Sequence, residues 1–344
     1  MTKSRLDIKD FMRQNIRNLK AYTTARNEFT GQADVFLDAN ENPYGDLNRY
    51  PDPQQIAIKQ ILSDLKGMKT EQMFVGNGSD EIIDIAFRIF CESGRDKAIC
   101  FIPSYGMYQV SADINGVELI EVPMERDFIP DPRKALEFID DSVKLMLLCS
   151  PNNPTGNSIP KETIIELLAS FKGIVVVDEA YIEFSDKESM TSLIEDYPQL
   201  IVAQTLSKAW GLANLRIGLA YASEEMVSWF NKVKAPYNVS GASQAEALKV
   251  LRNPAPVLKR IDQILKDKQR LIKTLNELSF VKTIFPSDAN FLLVEMEDAD
   301  SIYESLCNVG IIVRNRSKLI ENCLRITIGS EEENARLINA LKYL

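Results

Sequence analysis

The stretch QTLSKAWGLANLRIG (204–218) sets two cations, Lys208 and Arg216, among small and apolar residues, with no Asp or Glu between them. The run LIVAQT reads as a buried strand, so Lys208 emerges just past a strand end. Such cations can be surface groups whose stems cover apolar neighbours. Alternatively, Lys208 is an amine in a partly desolvated pocket, where it loses its proton easily and attacks a carbonyl. The run VVVDEAY (175–181) ends another apolar strand with Asp178, a carboxylate that is costly to bury unless paired. A protonated ring nitrogen would suit it. SPNNPTGN (150–157) follows the strand-like VKLMLLC. Turn chemistry accounts for its Pro, Asn and Gly, and an asparagine there could also donate to a ligand oxygen. VGNGSDE (75–81) precedes a helical pattern, so its backbone amides could cradle a phosphate, or Ser79 could simply cap the helix. It is not a dinucleotide fingerprint, since Glu81 stands where the third glycine belongs, and it lacks the Gly-Lys-Ser/Thr ending of a Walker loop.

The chain has no histidine. That removes Ser-His-Asp and Cys-His nucleophilic mechanisms and any metal site built on imidazole. Acid–base chemistry must come from lysine, tyrosine, carboxylates or a cofactor, and no metal is expected. The five cysteines (Cys91, Cys100, Cys149, Cys307 and Cys323) form no CxxC pair and several sit in apolar contexts, which argues against a disulfide framework. Forty basic against 49 acidic residues give a formal charge of −9. The balance weighs against a general nucleic-acid surface but leaves room for a local basic pocket. No apolar run approaches the roughly 18 residues of a membrane span, and MTKSRLDIKDFMRQ lacks the apolar core of a signal peptide. The expected location is cytoplasmic, with no membrane partner.

The elements that must position these residues follow from the same pattern. At 344 residues the chain has room for two domains. Between about 54 and 230, strand-like KAICFI, GVELIEV, VKLMLLCS, GIVVVDEA, LIVAQT and RIGLAYA alternate with helix-like stretches such as DEIIDIAFRIFCE and KETIIELLASF. This predicts an α/β domain with a mostly parallel, doubly covered sheet, whose ligands gather at the carboxyl ends of the strands. Past RNPAP (252–256) the pattern changes to a long charged helix, 257–278, then the strand pair VKTIFPSDANFLLVEM. Helix-like SIYESLCNVG, strand-like IIVRN and CLRITIG, and a last helix EEENARLINALKYL complete a smaller α+β domain.

Taken in order, GNGSDE, PSYGMY, SPNNPTGN, VVVDEAY and TLSKAWGLANLRIG resemble the fold-type-I aminotransferases over essentially the whole chain. LDANENPYG (37–45) and NRYPDP (48–53) look like the N-terminal signature of the histidinol-phosphate aminotransferase family. GIIVRN and CLRITIG resemble its two C-terminal arginine segments. The resemblance implies the pyridoxal-5′-phosphate-dependent transferase fold of type I: an arm at 1–30, a large cofactor domain at 31–250 and a small domain at 251–344. It implies transamination between L-histidinol phosphate and 2-oxoglutarate in histidine biosynthesis.

By the same resemblance, Lys208 forms a Schiff base with the cofactor and later moves a proton, while Asp178 pairs with the pyridinium nitrogen. Asn153 and Tyr181 contact the ring's 3′-oxygen, and Tyr105 lies against the ring face. Gly78, Ser79, Asp80, Ser207 and Arg216 hold the phosphate, which Tyr50 reaches from the neighbouring subunit of a homodimer. Arg325 and Arg314 bind the anionic end of the substrate, and Tyr22 and Asn40 belong to segments that close over the site. Trp210 and Asn214 stand where Phe and Gly are expected. A broad-specificity aromatic aminotransferase or an amino-acid-phosphate decarboxylase would share every cofactor residue. A non-catalytic module on the same fold is the alternative from a different class, and Lys208 weighs against it.

Overall fold

The structure is a computed structural model and describes residues 7–23, 31 and 33–343. Seven strands make the main sheet: β1 (Met73–Gly76), β2 (Lys97–Ile102), β3 (Glu118–Pro123), β4 (Val143–Cys149), β5 (Ile174–Asp178), β6 (Leu200–Thr205) and β7 (Gly218–Tyr221). Their order is β1-β7-β6-β5-β4-β2-β3. β3, β2, β4, β5 and β6 pair in parallel, and β7 runs antiparallel between β6 and β1. All six strand-like runs read from the sequence before residue 230 are strands. β1 had not been read as one.

The sheet is covered on both faces, which explains why its strands are continuous apolar runs rather than alternating ones. In β5, Val175 and Val177 enter the layer that also holds Ile58, Ile164 and Leu251. Ile174 and Val176 enter the opposite layer, under Ile82, Phe87 and Tyr108. Asp178 continues the second set, because side chains alternate along a strand. The N-terminal segment packs into that layer too: Ile8, Met12 and Ile16 are buried in it, and the Arg13 N–H donates to the Ile89 carbonyl at 2.9 Å.

The second sheet is antiparallel throughout, with β8 (Val281–Ile284), β9 (Phe291–Met296), β10 (Arg314–Asn315) and β11 (Cys323–Thr327) in the order β10-β11-β9-β8. The long charged run forms the helix Ala255–Leu275, and the last helix is Glu331–Lys342. One face of this sheet, with Leu292, Val294, Leu324 and Ile326, packs with Leu271, Leu275 and Leu337 of these helices. The other face carries Phe291, packed with Tyr181 and Phe184, and Leu293, packed with Phe128. Arg325 pairs with Leu293, and Arg314 with Arg325, so both arginines share the face turned toward the large sheet.

Candidate active site

β4, β5 and β6 end at one edge of the large sheet, where the chain continues into Asn153, Tyr181 and Lys208 respectively. A cavity of about 330 Å³ opens there. Its walls include Ser79, Asp80, Tyr105, Asn153, Asp178, Tyr181, Ser207, Lys208, Arg216, Arg314 and Arg325, all expected from the sequence, together with Cys149, Ala180, Thr205 and Arg316. Larger clefts exist, including one of about 650 Å³ beside Asp7–Lys9 and Glu224–Glu225. Chemistry singles out the smaller one, because a lysine, two carboxylates and four arginines converge on it.

The anion end of the cavity is built on backbone. Gly78 is the N-cap of the helix Ser79–Phe90, at φ +82°, and no side chain caps that helix start. A Cβ on Gly78 would lie 2.5 Å from Nη2 of Arg216, and one on Gly218 would lie 2.3 Å from the Ser79 nitrogen. Glycine at both positions lets the guanidinium and β7 close on the helix start, where free amide hydrogens attract anions. Asp80 holds the assembly. Its carboxylate accepts from Arg216 at 3.3 Å and from the Tyr105 hydroxyl at 3.1 Å.

Asp178 is buried at the end of β5, accepting from the Ala180 N–H at 3.1 Å and the Tyr108 hydroxyl at 3.2 Å. Burial pushes its carboxyl up to about 6. Tyr108 was not among the expected site residues, although it ends the PSYGMY motif; its ring stands edge-on to Tyr105 at 5.7 Å. Lys208 Nζ lies 5.6 Å from the centre of the Tyr181 ring. Solvent reaches this lysine through the cavity mouth, yet crowding by protein and then the like charge of Arg325 lower its pKa.

Opposite Lys208 stands the arginine face of the small sheet. Arg325 Nη1 donates to the Asn153 amide oxygen, and its guanidinium lies 5.3 Å over the Phe291 ring. The Nε groups of Arg325 and Arg316 are both buried without a partner among the described residues. Burial lowers the pKa of each, and neighbouring arginines lower that of Arg316 further. Arg316 had not been singled out in the sequence. Its signal was the R-x-R alternation of VRNRS, which puts Arg314 and Arg316 on one face of an extended strand.

Three expected residues stand apart from the cavity walls. Tyr22 is 74% exposed, and Asn40 is exposed in a left-handed turn at φ 54°. Tyr50 stacks on Tyr237 with ring centres 4.3 Å apart. The cofactor implied by the sequence fits the donor set. A buried carboxylate at the cavity floor suits a ring cation, an anion cradle lies at one end, and a weakened lysine lies between.

The sequence profile of the family Aminotransferase class I and II matches residues 20–341. A histidinol-phosphate aminotransferase of Flavobacterium johnsoniae is 48% identical over 98% of this chain and 99% of that one. Its counterpart in Parabacteroides distasonis is 49% identical over 98% and 99%. Among solved structures, the histidinol-phosphate aminotransferase of Sinorhizobium meliloti in complex with pyridoxal-5′-phosphate superimposes with a TM-score of 0.80 at 26% identity, covering 87% of this chain and 83% of that one. Near-full-length identity approaching one half decides the classification: the chain belongs to the histidinol-phosphate aminotransferase family, within the class I and II aminotransferases.

Proposed function

We propose that this enzyme transfers an amino group from L-histidinol phosphate to 2-oxoglutarate, giving imidazole acetol phosphate and L-glutamate in histidine biosynthesis. The observation that carries this reading is the arginine face set across the cavity from Lys208. One substrate is a phosphate monoester and the other a dicarboxylate, and guanidinium groups bind both kinds of oxygen through paired, charge-assisted hydrogen bonds. Arg314 and Arg325 form the shared anchor.

Pyridoxal phosphate, when bound, supplies a protonated ring that draws electron density from the substrate carbon. Lys208 would hold the cofactor covalently, and its amine, once released, would carry the substrate's proton, a task its lowered pKa suits. Asp178 keeps the ring nitrogen protonated, and the buried carboxylate gains the cation it otherwise lacks. Asn153 and Tyr181 orient the ring through its 3′-oxygen, while Tyr105 covers one face. Ser79, Ser207, Arg216 and the amides after Gly78 hold the phosphate. The Asp80 carboxylate is already engaged by Arg216 and Tyr105, so it steadies those groups while its amide faces the anion.

The working enzyme is a homodimer in this reading. Tyr50 stands outside the cavity of its own chain, which supports its service to the partner's cofactor, and Tyr22 and Asn40 close over the site with substrate bound. The arm spans 1–30, the large domain 31–250 and the small domain 251–344; the separate core of the small sheet supports the last division. The enzyme is cytoplasmic, consistent with five free cysteines and with the absence, among the described residues, of a helix long and apolar enough to cross a membrane.

Half-reaction spectra of the purified yellow enzyme test the substrate. L-histidinol phosphate should bleach the visible band with at least about tenfold higher efficiency than unphosphorylated histidinol, because each charged hydrogen bond lost is worth roughly 1.5–3 kcal/mol. Equal reaction of the two, or a strong preference for an aromatic amino acid, would end this assignment. For the dimer, Lys208→Ala chains mixed with Tyr50→Phe chains should recover activity, since half the heterodimer's sites are intact. No recovery in verified heterodimers rules the shared site out.

A further inference from the structure

We propose that Arg316 is a specificity residue, the third guanidinium of a pocket for a doubly charged phosphate; this deepens the functional reading above and rests on it. The register supplies the geometry. Arg314 pairs with Arg325 across β10 and β11, and the ladder runs on, with the Arg316 N–H donating to the Cys323 carbonyl at 2.9 Å. Side chains two apart on a strand share a face, so Arg314, Arg316 and Arg325 form one cluster, and all three line the cavity.

The charge balance points to an anion. Among the described residues, five cations face this cavity against two carboxylates, Asp80 and Asp178. Asp80 is taken by Arg216, and Asp178 lies buried at the floor. No carboxylate partners Arg314, Arg316 or Arg325 among the described residues. The Nε of Arg316 is buried with nothing to bond, and a buried donor left unpaired is costly unless a ligand completes it.

A carboxylate presents two oxygens and one charge, whereas a phosphate monoester presents three terminal oxygens and nearly two charges at neutral pH. Arg325, tied to Asn153, and Arg314 suffice for the carboxylate of glutamate. The third oxygen and second charge of the phosphate fall to Arg316. The amine donor and the oxo acceptor thus share an anchor but differ in their use of this one residue.

The test compares the two half-reactions in Arg316→Gln holoenzyme. The kcat/KM for L-histidinol phosphate is expected to fall at least about tenfold, the loss of one charged hydrogen bond, and the loss for glutamate should be several-fold smaller. Inorganic phosphate should lose potency as a competitive inhibitor in the same variant, with the visible band unchanged. Arg325→Gln, the control, should lower both half-reactions alike. Arg316→Lys, which keeps the charge without the planar fork, should fall between wild type and Gln, and it serves if the Gln variant folds poorly. Equal losses in both half-reactions, or none in either, would overturn the proposal. Failure of the functional reading looks different, since the wild type itself would then treat histidinol and its phosphate alike.

Discussion

The two walls of the cavity are finished to different degrees. On the large-sheet side the carboxylates are engaged: Asp80 binds Arg216 and Tyr105, and Asp178 accepts from Ala180 and Tyr108. On the small-sheet side, Arg325 has one amide contact, and the buried Nε groups of Arg316 and Arg325 have none. A permanently held cofactor calls for a preformed site, whose groups are fixed before it binds. A substrate that must come and go as two different anions leaves donors waiting instead. Substitutions on the first wall should therefore remove chemistry, and those on the second should weaken substrate binding, for both substrates at the shared anchor and for the phosphate alone at Arg316.

The largest effect belongs to Lys208→Ala. Losing both the covalent anchor and the proton carrier should lower turnover by about 10⁴-fold, the upper range for a positioned acid–base group. Borohydride treatment of the wild type should fix the cofactor on the peptide containing Lys208. Label on any other lysine would sink the assignment.

Asp178→Asn should divide function from stability. Removing one partner of a buried charge pair costs about 3–5 kcal/mol, so catalysis should drop by roughly 150- to 5,000-fold. The cofactor-free protein should respond oppositely. Asp178 has its pKa raised from 3.8 to about 6 on folding, so between these values the native state binds more protons than the unfolded chain. Its contribution to stability then falls as pH rises through that window and stays low above it. At pH 8 the cofactor-free variant should be the more stable, by up to about 3 kcal/mol, with the difference vanishing near pH 4. Urea titrations across pH decide it: a less stable variant at pH 8 contradicts the buried-charge account.

The two walls also differed in how readily the sequence disclosed them. β2 to β7 were legible because a sheet covered on both faces needs unbroken apolar runs, and Lys208 and Asp178 were legible as charges at the ends of such runs. β1 escaped because MFVG runs straight into the turn GNGS, whose glycines draw the eye to the helix start instead. Tyr108 escaped because a tyrosine in an apolar helix reads as core; only the fold brings its hydroxyl to Asp178 across 70 residues. Arg316 escaped because β10 is two residues long and an R-x-R pair in a charged loop looks like a solvated turn. Tyr22, Asn40 and Tyr50 carried no local signal, and their places came from the family likeness alone.

On the second wall, Arg325→Ala should weaken both half-reactions by about 10- to 150-fold, since each uses this anchor and a charged hydrogen bond is worth roughly 1.5–3 kcal/mol. A loss confined to the phosphate substrate would mean that the carboxylate is held elsewhere, and the shared anchor would have to be abandoned.

The smallest effect tests whether the first wall is held from behind. Trp210, at a position where the family pattern suggests Phe, donates from Nε1 to Glu183 Oε1 at 3.1 Å. This ties the turn closed by the Gly211 N–H on the Lys208 carbonyl, at 3.0 Å, to the short helix Ile182–Phe184 that follows Tyr181. The other oxygen of Glu183 is already buried without a partner. Trp210→Phe keeps an aromatic ring but removes the donor, so the carboxyl loses its one side-chain hydrogen bond and stability should fall by about 1–3 kcal/mol. The loss should be greater at pH 8 than at pH 5. Burial raises the pKa of Glu183, so lowering the pH favours the neutral carboxyl, which tolerates the missing donor better than the carboxylate does. Turnover should change little, because Lys208 keeps its own backbone contact. A double-mutant cycle with Glu183→Gln reads the coupling directly. Additive losses would show that the pair contributes no coupling energy, and that the lysine turn is held by the first wall alone.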